Sequence, residues 1–342
     1  MRAALVLYSF FSRIVTGVIN AFYDRGWLRP RHAPLPVVSI GNIALGGTGK
    51  TPMAMEILSR LLDDGFRPAL VTRGYRGRWE KRGGVLSDGK ALCGDWKDGG
   101  DEPFLAAVRI PRAGVFVGRN RLSSCFRAAE MGFDVAVLDD GFQHRKLRRD
   151  LDVVLFDPGN TAALREPPSA LNRADIVLFP ESAREGALSL LGRSAPRPLA
   201  CAFSVVPLGF RKMNGPAGEN EPLAPPERFR GSRAMAFCGL AGPERFFRTL
   251  EQLGLRLLEK RAFPDHHGYP SRTWAWIRDR CRALKPDVVV TTEKDAVKLA
   301  GRSGVPGAVP LFALRIGVVF QESACDALIG SVRRAAGGVF HG

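Results

Sequence analysis

No run of apolar residues in this 342-residue chain approaches the roughly 20 that cross a bilayer, so an integral membrane protein is not expected. Cysteines are few and scattered: Cys93, Cys125, Cys201, Cys238, Cys281 and Cys325 form no C-x-x-C pair and have no histidine partners at zinc-finger spacing. They read as reduced thiols of a cytosolic protein. Like charges never gather into a block of five or six, no internal repeat is visible, and no nucleic-acid-binding signature accompanies the net charge of +16. That charge suits an anionic partner, whether nucleic acid, lipid headgroups or a phosphorylated substrate, and it is equally what an arginine-rich composition produces without a partner.

What the chain does have is length for two domains of ordinary size and 45% hydrophobic residues to build their cores. From Leu5 to Tyr23, the residues Leu7, Phe10, Phe11, Ile14, Val15, Val18, Ile19 and Phe22 recur at helical spacing, with Ser9, Ser12, Arg13, Thr16 and Asn20 opposite. Such an amphipathic helix packs on its own domain or lies in a membrane interface; Trp27 beside Arg25, Arg29 and Arg31 suits the latter. Arg13 interrupts the apolar run and no small-x-small cleavage site follows it, which argues against a signal peptide.

The densest signal lies between Val37 and Pro52. Val37-Val38-Ser39-Ile40 reads as a buried strand, Gly46, Gly47 and Gly49 as a turn whose amides face inward, and Lys50-Thr51-Pro52 as the start of a helix. In that layout Gly46, Gly47, Thr48 and Gly49 cradle phosphates through the main chain, Lys50 places a charge on the β and γ phosphates, and Thr51 offers a hydroxyl to Mg²⁺. Ala44 stands where the strict motif has glycine, and Leu45 stands where partition-type ATPases carry a second lysine. The plainer alternative is a glycine-rich strand-to-helix turn without a ligand.

A second half of this site is expected at Val135-Ala136-Val137-Leu138-Asp139-Asp140. A buried strand ending in acid presents a carboxylate to the metal beside the phosphate loop, and either aspartate could be the one. Ala69 to Thr72 reads as a further strand whose end carries Arg73, Tyr75 and Arg76 toward a ligand crevice, or into an ordinary solvated turn, and Val115 to Gly118 as another, followed by Arg119, Arg121 and a helix. Asp101, after Gly99-Gly100, reads most simply as a helix N-cap with Glu102 beside it. Asp152 to Phe156 and Ala174 to Phe179 continue the strand series, with Leu164-Arg165-Glu166 between them.

The expected architecture is therefore α/β: a P-loop NTPase-like, doubly wound and mainly parallel sheet with a second, smaller α/β domain and an N-terminal amphipathic helix. Residues 1–30 form the helix and 31–195 the nucleotide-binding domain. Proline and glycine mark 196–231 as a linker with at most a hairpin, and 232–342 is the smaller domain, its C-terminal segment able to pack back on the first. From that domain Phe263-Pro264-Asp265-His266-His267 and Thr292-Glu293-Lys294-Asp295 are candidates for the cleft, or merely for capping turns. Adjacent histidines do not suit one metal, whereas one of them could orient a carboxylate.

Read jointly, Gly41-Asn42 through Pro52, Thr72-Arg73-Gly74-Tyr75, Gly100-Asp101-Glu102-Pro103, Asp139-Asp140-Gly141-Phe142-Gln143-His144, Leu164-Arg165-Glu166, Phe263-Pro264-Asp265-His266 and Thr292-Glu293-Lys294-Asp295 closely resemble the tetraacyldisaccharide 4'-kinases over nearly the whole chain. The resemblance implies transfer of the γ-phosphoryl group of ATP to the 4'-hydroxyl of an acylated disaccharide 1-phosphate, in the synthesis of the lipid A of lipopolysaccharide. It implies ATP and Mg²⁺ as cofactors, Thr51 with Asp139 or Asp140 on the metal, and Asp101 as general base with His266 as its partner and His267 in reserve. Arg73, Tyr75, Glu102, Arg121, Gln143, His144, Arg165 and Glu166 then line the cleft. It further implies peripheral attachment to an anionic membrane surface at the cytoplasmic face of the inner membrane, with neither nucleic acid nor an obligate protein partner. Rival readings are another P-loop NTPase such as a metal-insertion GTPase, whose guanine-reading element Thr292-Glu293-Lys294-Asp295 only superficially resembles, and a nucleic-acid-stimulated ATPase.

Overall fold

The computed structural model describes residues 16–44, 49–159, 164–192, 198–213, 222–299, 309–320 and 322–337, the last segment without the side chains of 322–325. The first strands are β1 (Val37–Asn42), β2 (Pro68–Thr72), β3 (Gly84–Asp88), β4 (Gly114–Val117), β5 (Val135–Asp139), β6 (Leu151–Leu155) and β7 (Ile176–Pro180). They are followed by β8 (Leu199–Lys212), β9 (Arg233–Cys238), β10 (Arg256–Ala262), β11 (Val288–Thr292) and β12 (Leu311–Phe320). All belong to one sheet in the order β10-β9-β11-β12-β8-β7-β6-β1-β5-β2-β4-β3. Its pairs are parallel except β3 with β4 and β12 with β8, so the fold is mixed α/β around a large, mostly parallel sheet.

Strands covered on both faces need near-continuous apolar sequence, and β1 is buried at all six positions. Its Val38 and Ile40 pack on Met53, Ile57, Leu58 and Leu61 of helix α1 (Lys50–Asp63), while Val37 turns to the opposite face. The chain runs from β1 outward to β2, β3 and β4, returns as β5 beside β1, then crosses to β6 on β1's other side. Such a reversal opens a crevice beyond the strand C-termini. The remaining helices used below are α2 (Trp96–Gly99), α3 (Asp101–Arg109), α4 (Arg121–Glu130), α5 (Arg184–Leu191), α6 (Pro243–Gln252), α7 (Ser271–Leu284), α8 (Glu293–Ala296) and α9 (Glu322–Gly337).

The segment expected as a linker, 196–231, instead contains β8, a 14-residue strand. Its start pairs in parallel with β7 and its remainder runs antiparallel along β12, which makes the sheet continuous from end to end. Proline and glycine misled the reading because Pro207 and Gly209 sit at a register shift in the β8–β12 ladder, where a missing N–H and a φ of 146° are tolerated. Strands β3, β10 and β12 are also absent from the expected set, β12 despite its largely apolar sequence. The C-terminal helix α9 places Leu328, Ile329 and Val332 in the same core as α1, and Arg333 bonds Asp64 at the end of that helix.

Candidate functional site

The segment expected to bind phosphate lies in the chain between β1 and α1. Gly46, Gly47 and Thr48 lie outside the described residues, and Gly49, at φ 87°, turns the chain into α1 in a conformation that favours glycine. Lys50 and Thr51 are the first two residues of α1, where unpaired backbone N–H groups and the helix dipole favour phosphate. Lys50 Nζ is 3.4 Å from Asp140, whose carboxylate also accepts two bonds from Arg165 at 2.9 and 3.1 Å. Burial disfavours the ionised form of Asp140, but Lys50 and Arg165 outweigh it and hold its carboxyl below the usual range.

Asp139, the last residue of β5, behaves in the opposite way. Its Oδ2 accepts from Thr72 Oγ1 at 3.3 Å, while its enclosed Oδ1 has no hydrogen-bond partner among the described residues. Burial, then Asp140 and Glu102 beside it, push its carboxyl up to about 6 despite Lys50 and Arg121. A crowded carboxylate with an orphaned oxygen, next to Lys50 and Thr51, fits a divalent cation chemically. Of the two aspartates, Asp140 is committed to cationic side chains and Asp139 keeps an oxygen available.

The other half is built on α3. Gly100, at φ 93°, is its N-cap, so Asp101 is the first helical residue and its carboxylate is not a cap on the later turns. Asp101 is buried, and His266 Nδ1 lies 2.9 and 3.0 Å from its two oxygens, 165 residues away in sequence. Lys298 Nζ is 3.4 Å from Oδ2 on another side. Burial opposes the ionised carboxylate, yet His266, Lys294 and Lys298 prevail and hold it at about 2. His266 itself adopts φ 60°, and the ring of Tyr75 stands edge-on to its imidazole at 5.8 Å. Left-handed backbone at a non-glycine residue costs energy that the surrounding turn must offset, which is common where a side chain is aimed for function.

Glu102 joins the halves. Its Oε2 accepts from Thr51 Oγ1 at 2.6 Å and its Oε1 from Lys294 at 2.9 Å; Lys294 also reaches Asp265 at 3.3 Å. Asp101, Glu102 and His266 each place one ligand atom within 4.8 Å of the others, a spacing that a cation could bridge.

The remaining expected residues differ in burial and in partners. Tyr75 and Arg73 are at the mouth, Arg73 being held by Glu80 at 2.8 Å. Arg121 is buried at the start of α4, bonded to Gly118 O, with Asp139 and Asp140 acting on its charge. Burial, then Arg121, keeps the His144 imidazole down at about 4, so it is neutral at pH 7. Gln143, Arg165 and Glu166 form a buried web considered below. His267 points elsewhere, bonding Thr273 and stacking on Phe263.

The sequence reading had passed over Lys298, which is fully buried between Asp101 and Asp295, the latter at 2.9 Å. Its position three residues after Asp295, on one helical face, was the available signal. Asp295, equally buried, accepts from Gly239 N and Thr292 Oγ1 and so ties the turn after β9 to α8.

The N-terminal helix is described from residue 16 to 24, and its earlier residues, Leu5 to Val15, lie outside the described residues. Its polarity is inverted relative to a helix packed on a core. Thr16, Asn20 and Tyr23 face the protein, whereas Val18, Ile19 and Phe22 are 52%, 44% and 36% exposed. Among the described residues no helix is long and apolar enough to cross a membrane.

Comparison with known proteins finds likeness over most of the chain. The model of the tetraacyldisaccharide-1-P 4'-kinase family matches residues 1–333. A tetraacyldisaccharide 4'-kinase of Syntrophus aciditrophicus is 39% identical, with 86% of this chain and 84% of that protein covered. One from Anaeromyxobacter dehalogenans is 40% identical, covering 87% and 81%. Among solved structures, the "apo" form of LpxK from Aquifex aeolicus in complex with ATP superposes with a TM-score of 0.75 at 28% identity, covering 98% of this chain and 99% of that one.

Proposed function

The chain belongs to the tetraacyldisaccharide-1-P 4'-kinase family, and from that membership we propose how its residues carry the reaction. The activity is that of an ATP-dependent kinase acting on the 4'-hydroxyl of a tetraacylated disaccharide 1-phosphate in lipid A synthesis. Lys50, with the loop before it, holds the phosphates of ATP. Thr51 and Asp139 would hold Mg²⁺, with Asp140 kept beside them by Lys50 and Arg165; the ion would offset phosphate charge and orient the transferring group.

The acceptor hydroxyl lies against Asp101. Its oxygen forms a bond to the γ-phosphorus, the bond to the bridging oxygen of ADP breaks, and ADP leaves with that electron pair. The hydroxyl proton is taken up by Asp101 and His266 as a unit, because a carboxylate held at about 2 is by itself a weak acceptor. Lys294 and Glu102 keep this pair in register with Thr51, so that positioning carries most of the catalysis.

The observation that carries this reading is the Asp101–His266 contact, made on a helix whose next residue bonds Thr51. Incubation with labelled ATP, Mg²⁺ and the disaccharide lipid tests it: label is expected on the lipid, and its absence sinks the assignment.

We also propose peripheral attachment to an anionic membrane surface through the N-terminal helix. The outward apolar face of Val18, Ile19 and Phe22 is left substantially exposed among the described residues, and a net charge of +16 favours an anionic leaflet.

A further inference from the structure

Glu166 is 1% exposed, yet it takes no part in the acid–base pair. Three donors converge on it: Gln143 Nε2 lies 2.8 Å from Oε1, and Arg173 Nη2 and Asn20 Nδ2 each lie 2.6 Å from Oε2. Asn20 belongs to the inward face of the N-terminal helix. Arg145 fastens the same helix turn from the loop after β5, donating to Asn20 O at 3.1 Å and Asp24 Oδ1 at 2.7 Å, with its guanidinium 5.1 Å over Tyr23.

The two loops that meet at this carboxylate also carry the nucleotide site. Arg165, next to Glu166, grips Asp140, and Gln143, three residues after Asp140, donates to Asn42 O at 2.9 Å where β1 enters the phosphate loop. The backbone of Arg165 is further tied to Ile43 O at 2.7 Å. A buried carboxylate that loses one of its donors is costly to leave and pulls on the others, so these bonds behave as a network.

We propose that Asn20 is a positioning residue whose bond to Glu166 transmits the seating of the N-terminal helix to Arg165 and Asp140, so that MgATP is held in full only with the helix docked. This rests on the kinase reading above. The helix then has two working faces: an apolar one toward lipid and a polar one toward the active site. An enzyme that takes its acceptor from a membrane thereby couples arrival at the surface to readiness for nucleotide.

The test uses the full chain and reads MgATP affinity by calorimetric titration without lipid. Asn20→Ala, and Asn20→Asp, which keeps the size but cannot donate, are each expected to weaken MgATP binding about five- to tenfold, with co-sedimentation on phosphatidylglycerol vesicles unchanged. Combined with Arg165→Met, the Asn20→Ala loss is expected to be largely absorbed, as for residues of one network. Unchanged affinity, full additivity with Arg165→Met, or loss of vesicle binding with intact affinity would each overturn the inference. If Asn20→Ala does not fold, Asn20→Asp carries the same readout. Failure of the wild-type protein to phosphorylate the lipid would strike the functional reading alone, since nucleotide affinity is measured without an acceptor.

Discussion

Thr51 Oγ1 donates to Glu102 Oε2 at 2.6 Å, linking the first turn of α1 to the first turn of α3. The residue before Glu102 is Asp101, and the other Glu102 oxygen is held by Lys294 of α8. The groups proposed to bind phosphate and to accept the proton are thus joined through two adjacent carboxylates, and displacing either helix disturbs both.

Substituting Asp101→Asn or Lys50→Ala is expected to lower turnover by about 10²–10⁴-fold while leaving the fold intact. Phosphorylation of the disaccharide lipid, alongside circular dichroism of each variant, checks this. Turnover close to wild type in Asp101→Asn would return that residue to a merely structural place at the helix start.

Asp139 makes a prediction about pH and stability without nucleotide. Its folded carboxyl lies at about 6, above the usual 3.8. A raised value favours the protonated form, so its contribution is most favourable below pH 4 and is lost as pH rises through 6. Asp139→Asn should therefore raise the melting temperature of the nucleotide-free protein at pH 7 by a few degrees, on the order of 2–3 kcal/mol, and give no gain at pH 4. Thermal unfolding at the two pH values measures it; equal effects at both would refute the assignment. The same variant should lose turnover.

Lys298→Met leaves Asp295 and Asp101 buried without that cation. Removing one partner of a buried pair costs roughly 3–5 kcal/mol, whereas replacing both by neutral groups costs much less. Denaturant titration is expected to show Lys298→Met strongly destabilised and Lys298→Met/Asp295→Asn largely restored. The depressed Asp101 carboxyl adds a further sign: its pairing contributes stability above pH 4 that disappears as pH falls toward 2, so Lys298→Met should flatten the acid-unfolding curve there.

Placing a charge on the outward helix face should act on lipid contact alone. Ile19→Glu and Phe22→Glu each remove roughly 1.5–3 kcal/mol of apolar burial in an interface, about a tenfold loss or more in vesicle binding. Flotation with anionic liposomes gives that readout. MgATP affinity should stay unchanged, the opposite of what is expected for Asn20 on the inner face.

Much of the first half of the molecule was legible in sequence because its signals are local. β1 opens on a nearly continuous apolar run and β5 on an uninterrupted one, and helix α1 starts where glycine, lysine and threonine place it. β8 was hidden by Pro207 and Gly209, and β10, an edge strand with mostly exposed side chains, carries too little apolar alternation to announce itself. The candidate site divides the same way. Lys50, Thr51 and the Asp139–Asp140 pair declare themselves by their neighbours in the chain, whereas Asp101 reads as a cap until His266 arrives beside it.

By itself, then, the sequence indicated which residues could bind phosphate, where β1, β2 and β4 to β7 run, and that the N-terminal helix has two unlike faces, since each depends on spacing within a few turns or strands. The tertiary structure set His266, the partner that the family resemblance implied, and not His267 against Asp101, and it alone decided that Asp140 is taken by Lys50 and Arg165 while Asp139 keeps an oxygen without a partner among the described residues, that Lys298 is buried beneath Asp101, and that the polar helix face grips Glu166. The reason is physical: burial, charge pairing and orphaned polar atoms are set by groups brought together from 25 to 197 residues apart in the chain, and no local pattern records which of them will meet.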